Sequence, residues 1–166
     1  MKALMYAMLL VSLVPIQSVL LPYVSVWDIR PDLGLIVVCL VGLLTGELEG
    51  LLVGLAVGWV MSLFSAESLV LSMITKGAIG YAAGLAGRQV VYLTPVVLVM
   101  GLLITSSLAG LLAALWLKLG EQQDVWWAIQ TVVLPQAVFD AVVGGMIYWV
   151  MWSRFNVERL VAAYRA

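Results

Sequence analysis

Histidine is absent from this chain of 166 residues, and its single cysteine, Cys39, lies inside an apolar run. Without imidazole the chain lacks the commonest general base of side-chain catalysis and a common zinc ligand, and one cysteine forms no internal disulfide. A phosphate-binding Gly-x-x-x-x-Gly-Lys-Ser/Thr motif is also missing. These absences predict that the chain holds neither a metal nor a cofactor and is not an enzyme.

Charge is scarce as well, with 8 Lys and Arg and 9 Asp and Glu, or 10% of the chain. Soluble domains carry about 25% charged residues, so these few could not cover the surface of a globular protein of this size. The formal net charge of -1 argues against a broad basic face and so against a nucleic-acid partner. Hydrophobic residues instead make up 64% of the chain. This composition predicts an all-α integral membrane protein, with the lipid bilayer as its surroundings.

Six apolar runs predict six transmembrane helices, since about 20 helical residues cross the hydrocarbon core of a bilayer. The short second and third runs meet at Gly46-Glu47-Leu48-Glu49-Gly50, which we interpret as the turn of a helical hairpin. The alternative has five spans, with residues 33–65 partly re-entrant. The transmembrane domain is predicted over residues 1–152, with spans at 3–21, 33–45, 51–65, 69–86, 93–117 and 125–152.

Lysine and arginine in short loops predict the orientation of such a protein, because their excess lies on the cytoplasmic side. With six spans, the side that carries both termini holds five of these residues: Lys2, Arg88, Arg154, Arg159 and Arg165. The other side holds two, Arg30 and Lys118. The split predicts that both termini are cytoplasmic.

The tail, residues 153–166, has the spacing of a short amphipathic helix. Its apolar residues follow the i, i+3, i+4, i+7 pattern: Val157, Leu160, Val161 and Tyr164. We predict that the tail lies on the cytoplasmic membrane surface, with Arg154, Arg159 and Arg165 near anionic lipid headgroups. The alternative is that it docks a cytoplasmic protein.

Glycines recur at every fourth position in the third and fourth spans, as Gly54-x-x-x-Gly58 and Gly80-x-x-x-Gly84. This spacing clears one face of a helix, so that two backbones can approach closely. Packing within the chain and contact with a partner subunit both remain open.

Arg30-Pro31-Asp32 is a helix-start signal, because proline suits the first helical turn and an acid there complements the helix dipole. Its predicted position in a loop leaves Arg30 and Asp32 available to a partner. We therefore group these two residues with the glycines as a predicted partner interface.

Two ionisable residues, Lys76 and Asp140, lie well inside predicted spans. A charge at the bilayer centre costs roughly 2.5–3.5 kcal/mol, so such residues normally face the protein interior and find partners. Pro135 precedes Asp140 and predicts a kink. We predict an intramembrane polar pocket of Lys76, Asp140 and Pro135 in which the two charges pair. The alternative is that Lys76 extends to the outer interface while Asp140 bonds local hydroxyls.

Four features together match the pattern of a known family: Arg30-Pro31-Asp32-Leu33, the ladder Gly46…Gly50…Gly54…Gly58, the glycine-rich segment 76–88, and a last span with Pro135 and a polar residue after it. On these features the chain resembles the rod shape-determining protein family MreD of bacteria, over nearly its whole length. It differs at two positions: Ser62 stands where the family often has an acid, and Asp140 where it often has asparagine.

The resemblance implies a noncatalytic, multi-pass scaffold subunit of the cell-elongation machinery in the bacterial inner membrane. Its implied direct partner is MreC, a single-span protein that dimerises outside the membrane. Through MreC it would connect to penicillin-binding protein 2, RodA and MreB, and so to peptidoglycan synthesis. The family is also similar in fold to the S components of energy-coupling-factor vitamin transporters, which gives the alternative function of binding a small ligand.

The charge asymmetry predicts which residues an impermeant thiol reagent reaches. In a Cys39→Ala background, we expect Arg30→Cys to react in intact cells and Leu160→Cys to react only in inside-out vesicles. Labelling with a membrane-impermeant maleimide measures both. Reaction of Leu160→Cys in intact cells would contradict the six-span arrangement.

Overall fold

The computed structural model describes residues 8, 11–13, 15–17, 31–64, 68–89, 95–118 and 125–155. Nearly all of these residues are helical, and none of them lies in a strand. The helices are α1 (Leu33–Thr45), α2 (Glu47–Ser62), α3 (Leu69–Gln89), α4 (Pro95–Lys118), α5 (Val125–Ala128) and α6 (Leu134–Phe155). A π-helical segment, Ile129–Val133, joins α5 to α6. The predicted all-α class is confirmed for this part of the chain.

Three stretches are long and apolar enough to cross a membrane: Leu69–Arg88, Pro95–Trp116 and Trp126–Val150. They belong to α3, to α4 and to the continuous helix that ends in α6. The apolar helix α1 has 13 residues and is shorter than a full span. Large apolar side chains are exposed along all three long stretches, as lipid-facing surfaces require; examples are Ile74, Ile104 and Met146.

α1 and α2 form an antiparallel hairpin that turns at one residue. Gly46 has φ 108° and ψ 179°, a backbone conformation open to glycine but strained for other residues. Its N–H donates to Gly42 O, and its carbonyl accepts from Gly50 N, each at 2.9 Å. The predicted turn over residues 46–50 is therefore corrected. Residues 47–50 are the first turn of α2, where the acids Glu47 and Glu49 complement the helix dipole.

Glycines bring α2 and α3 into backbone contact. A Cβ added to Gly50 would collide with Gly80 O, and one added to Gly54 would collide with Lys76 O. At one end of this antiparallel contact, a Cβ on Gly58 would lie 2.7 Å from Met73 Cα. Since no side chain fits between the helices, dispersion contacts between the two backbones stabilise the pair.

The glycine part of the predicted partner interface is corrected by this contact. Gly54, Gly58, Gly80 and Gly84 are all buried, and helices of the same chain occupy the faces that these residues clear. The close backbone contacts that the glycines allow are made within this chain. The interpretation of internal packing is therefore adopted in place of contact between these glycines and a partner.

The helices fall into two groups, with α1, α2 and α3 in one group and α4 and α6 in the other. An apolar cluster that includes Ile36 of α1, Leu98 of α4 and Tyr148 of α6 joins the groups, and all three side chains are fully buried. Leu13, from the N-terminal part of the chain, packs on a second cluster with Val38 and Val57. α3 and α4 touch each other only sparingly.

The last helix accommodates Pro135 through the π-helical segment before it. Proline has no N–H to donate to the carbonyl four residues earlier, and an inserted π-turn is a common way to absorb that loss. The segment sets Val133 against α4, where a Cβ added to Gly110 would lie 2.8 Å from Val133 Cγ1. Pro135 therefore shapes the contact between α4 and the last helix.

Several predicted features lie outside the described residues. They include Arg30, Arg159 and Arg165, the side chain of Arg154, and the tail beyond residue 155. Of the predicted first span, residues 8, 11–13 and 15–17 are described, and these are helical. The membrane-surface role of the arginines stays a prediction.

Gly80→Ala should destabilise the bundle, because the new methyl group would collide with Gly50 O on α2. Overpacking of this kind costs about 1–3 kcal/mol. Gly101→Ala is the matched control, since a Cβ added there, within α4, meets nothing within 4 Å. Thermal unfolding of the purified variants measures the difference. Equal stability of the two variants would contradict the backbone contact.

Candidate functional site

α1 begins inside the bundle instead of at its end. Its N-cap residue, Asp32, contacts Lys76, which lies about 10 Å along α3 from the start of that helix. The first N–H groups of a helix have no partner within it, and leaving them unsatisfied away from water is costly. Side chains of the N-cap residue and of other parts of the chain must therefore satisfy them.

Three side chains accept hydrogen bonds from this buried helix start. Asp140 Oδ1, on α6, accepts from Asp32 N at 2.7 Å. Gln17 Oε1 accepts from Gly34 N at 3.3 Å, and Asp32 Oδ1 accepts from Leu35 N at 3.0 Å. The last of these bonds confirms that the helix starts at Asp32, but it corrects the predicted position: Asp32 is the N-cap and Pro31 precedes it, so neither lies in the first turn.

Asp32 also forms an ion pair across the bundle. Lys76 Nζ lies 3.1 Å from Asp32 Oδ2 and donates to Ser72 Oγ at 3.3 Å. Asp140 is completely buried, and Ser106 of α4 donates its hydroxyl to Asp140 Oδ2. One polar cluster thus connects α1, α3, α4 and α6.

The hydrogen-bond geometry explains how two buried carboxylates are tolerated. Asp140 faces the N-terminus of α1, where the helix dipole is positive, and each of its oxygens accepts a hydrogen bond. Asp32 receives an ammonium group on one oxygen and a backbone N–H on the other. Buried charges are stable when they are paired and their remaining hydrogen bonds are satisfied.

The sequence predicted a direct pair between Lys76 and Asp140, and the structure corrects its geometry. Both residues belong to the cluster, but Lys76 pairs with Asp32, and Asp140 is joined to that pair through Asp32 N. Of the alternative, the part in which Lys76 extends to the interface is wrong, because Lys76 is 5% exposed. Its other part agrees with the structure in that Asp140 accepts a hydrogen bond from a hydroxyl, that of Ser106. Asp32 was predicted to be accessible to a partner, but it lies inside the bundle because α1 starts there.

Sequence reasoning missed three polar members of the cluster: Gln17, Ser72 and Ser106. Ser72 lies one helical turn before Lys76, so its spacing placed it on the same face. Ser106 belongs to a run of hydroxyl residues, 105–107, expected to bond either their own helix or a neighbouring helix. Ser106 bonds the neighbouring helix α6, whereas the Thr105 hydroxyl donates to Gly101 O of its own helix at 2.8 Å. No local signal distinguishes Ser106 from Thr105.

A cavity of about 500 Å³ lies beside the cluster, between α3 and α4. Asp32, Lys76, Ser106 and Gln136 line its polar side. Neither Asp140 nor Pro135 is among the described residues that line it. A polar cavity therefore lies beside Lys76, but it is not the predicted pocket, because Asp32 and Gln136 line it and Asp140 and Pro135 do not.

A second ionic contact lies at the hairpin end of the bundle. Arg88 Nη2 is 2.6 Å from Glu47 Oε1. The Arg88 side chain is 69% exposed and the Glu47 side chain 13% exposed, so only the cation of this pair is at the surface, whereas Lys76 is buried.

Within the described ranges, no group of three or more metal-ligating side chains could hold a metal ion. No protein-family model, curated protein or solved structure matches this chain.

Removing one member of the Lys76–Asp32 pair should destabilise the protein strongly, because the other charge is left buried and unpaired. We expect Lys76→Met and Asp32→Asn each to cost about 3–5 kcal/mol, and the double variant to recover much of that loss. Asparagine can still cap α1, so Asp32→Asn removes the charge and leaves the cap. A double-mutant cycle measured by thermal unfolding tests this.

The comparison is the Glu47–Arg88 pair, with Glu47→Gln and Arg88→Met. Because the Arg88 side chain is 69% exposed and stays hydrated when unpaired, we expect a smaller coupling there than for the Lys76–Asp32 pair. Purely additive losses at Lys76 and Asp32 would contradict the buried pair.

Proposed function

We propose that this chain is a noncatalytic scaffold subunit of the bacterial cell-elongation machinery, of the kind that the MreD family supplies. In this proposal it lies in the inner membrane and binds the single-span protein MreC directly. Penicillin-binding protein 2, RodA and MreB belong to the same complex and are reached through MreC.

The observation that carries the proposal is that two motifs of the resemblance meet in one contact. The ladder of α2 packs against the glycine-rich segment of α3, with Gly50 facing Gly80 and Gly54 facing the Lys76 carbonyl. The motif Pro31-Asp32-Leu33 starts α1 beside the same helix. The motifs thus act together in one three-helix unit, which supports a shared fold more strongly than composition alone.

We further propose six spans with both termini in the cytoplasm. In this proposal the three long apolar stretches, the two hairpin helices and the N-terminal segment, in which residues 8, 11–13 and 15–17 are helical, are the six spans. α2 runs antiparallel to α3, so the Gly46 turn lies beside Gly84 at the Arg88 end of α3. In this arrangement that end is cytoplasmic, in agreement with the lysine and arginine distribution.

The surface for MreC is proposed to be one of the exposed apolar helix faces, since the glycine ladder is occupied internally. A single-span partner needs an accessible stripe on a membrane helix. α4 carries such a stripe at a spacing of four residues, with Met100, Ile104 and Leu108 each more than half exposed.

Copurification tests the partner. We expect the tagged full-length chain, expressed with MreC in a bacterial membrane, to retain MreC after solubilisation in a mild detergent. Ile104→Ala/Leu108→Ala should reduce that retention, and Leu48→Ala/Leu52→Ala, on the exposed face of α2, is the matched control. Loss of MreC together with capture of the coupling subunit of a vitamin transporter would favour the alternative function.

A further inference from the structure

The cavity between α3 and α4 has the size and lining of a small-molecule site. Its volume of about 500 Å³ falls within the range of known ligand pockets. The cavity lies along the first two turns of α3 and the last turns of α4. On the α3 side its lining extends from Ser68, the residue before this helix, to Lys76, which corresponds to about 12 Å of helix.

The cavity lining offers hydrogen-bonding residues of several kinds. Besides Asp32 and Lys76, it includes Thr75, Ser106 and Gln136. At the end of the cavity near the start of α3, Ser68 Oγ is buried and has no hydrogen-bond partner among the described residues. A buried hydroxyl without a partner is unfavourable, so a bound polar group would stabilise this position.

The charges of the cluster limit what can bind. Lys76 and Asp32 already neutralise each other, and both oxygens of Asp140 accept hydrogen bonds from the protein. The second carboxylate disfavours an anion, and the Lys76 ammonium disfavours a cation. A charged ligand would also have to compete with the buried ion pair, whereas a neutral group can hydrogen bond without leaving a charge unpaired.

The other wall of the cavity is apolar. Leu71 of α3 and Ala109, Ala113 and Trp116 of α4 line it. This wall can pack against the hydrocarbon or ring portion of a ligand. The polar end of the same ligand would then lie beside Thr75 and Gln136.

We propose that this cavity binds an uncharged amphiphile, a molecule with a hydroxyl-rich group at one end and an apolar portion at the other. The hydroxyl-rich group belongs either to the headgroup of a membrane lipid or to a free solute. The proposal requires no partner protein, so the loss of MreC binding and the loss of ligand binding are separate outcomes.

The test uses the full chain in phosphatidylcholine nanodiscs with radiolabelled octyl β-D-glucoside as the probe, and empty nanodiscs for the background. We expect one saturable site per chain. Unlabelled octyl sulfate and octylamine, which carry the same hydrocarbon chain, should displace the probe more weakly than unlabelled octyl glucoside. Displacement by free D-glucose indicates a solute site, and failure of glucose to displace indicates a lipid site; both results support an uncharged hydroxyl-rich ligand.

Two matched pairs of variants locate the site. Ala113→Phe fills the cavity and should abolish saturable binding, whereas Ala114→Phe, on the same helix but not among the cavity-lining residues, should retain it. Thr75→Val should weaken binding about fivefold, the effect of one neutral hydrogen bond, and Thr105→Val should not change it because its hydroxyl bonds its own helix.

If Ala113→Phe fails to fold, the comparison of Thr75→Val with Thr105→Val tests whether the probe binds in this cavity. Binding no greater than that of empty nanodiscs would overturn the proposal. Equal effects of the two variants in a folded pair, or stronger displacement by either charged amphiphile, would overturn it as well.

Discussion

The buried start of α1 is the constraint on which the rest of the structure depends. A helix that begins inside an apolar bundle has N–H groups that water cannot satisfy, so other segments must supply the acceptors. Asp140 and Gln17 supply two of them, and this ties α6 and the N-terminal part of the chain to α1. The same requirement explains a completely buried carboxylate, because the positive end of α1 and the Ser106 hydroxyl compensate for its lost hydration.

The cavity follows from how the two groups of helices are held. Glycine contacts hold α3 against α1 and α2. The contact of Val133 with Gly110 and the packing within the shared apolar cluster hold α4 against the last helix. The groups meet mainly around α1, and α1 begins about 10 Å past the level at which α3 begins. α3 and α4 are therefore left apart at that end, with the polar cluster at the base of the space. The ion pair that anchors α1 to α3 thus also determines the chemistry of the cavity.

Helix positions could be predicted closely from the sequence, because apolar runs and caps are local signals. The span predicted at residues 33–45 coincides with α1, which Asp32 caps at one end and Gly46 ends at the other. The third span was placed at 51–65, but α2 begins at Glu47. Acids between glycines are typical both of a turn and of the first turn of a helix, and only the positive φ of Gly46 decides between them. Lys76 and Asp140 were recognised as members of a site because a charge within an apolar span needs a partner wherever it lies.

The sequence by itself determined that the protein is helical and strongly apolar, that two glycine-rich segments need close neighbours, and that two buried charges need compensation. Only the tertiary structure decided which groups meet. Glycine spacing is the same for a helix of the same chain and for a helix of a partner, so the contact of Gly50 with Gly80 could not be inferred from it. The choice of Asp32 as the partner of Lys76 depends on α1 starting about 10 Å along α3, an offset between helices that no local signal encodes.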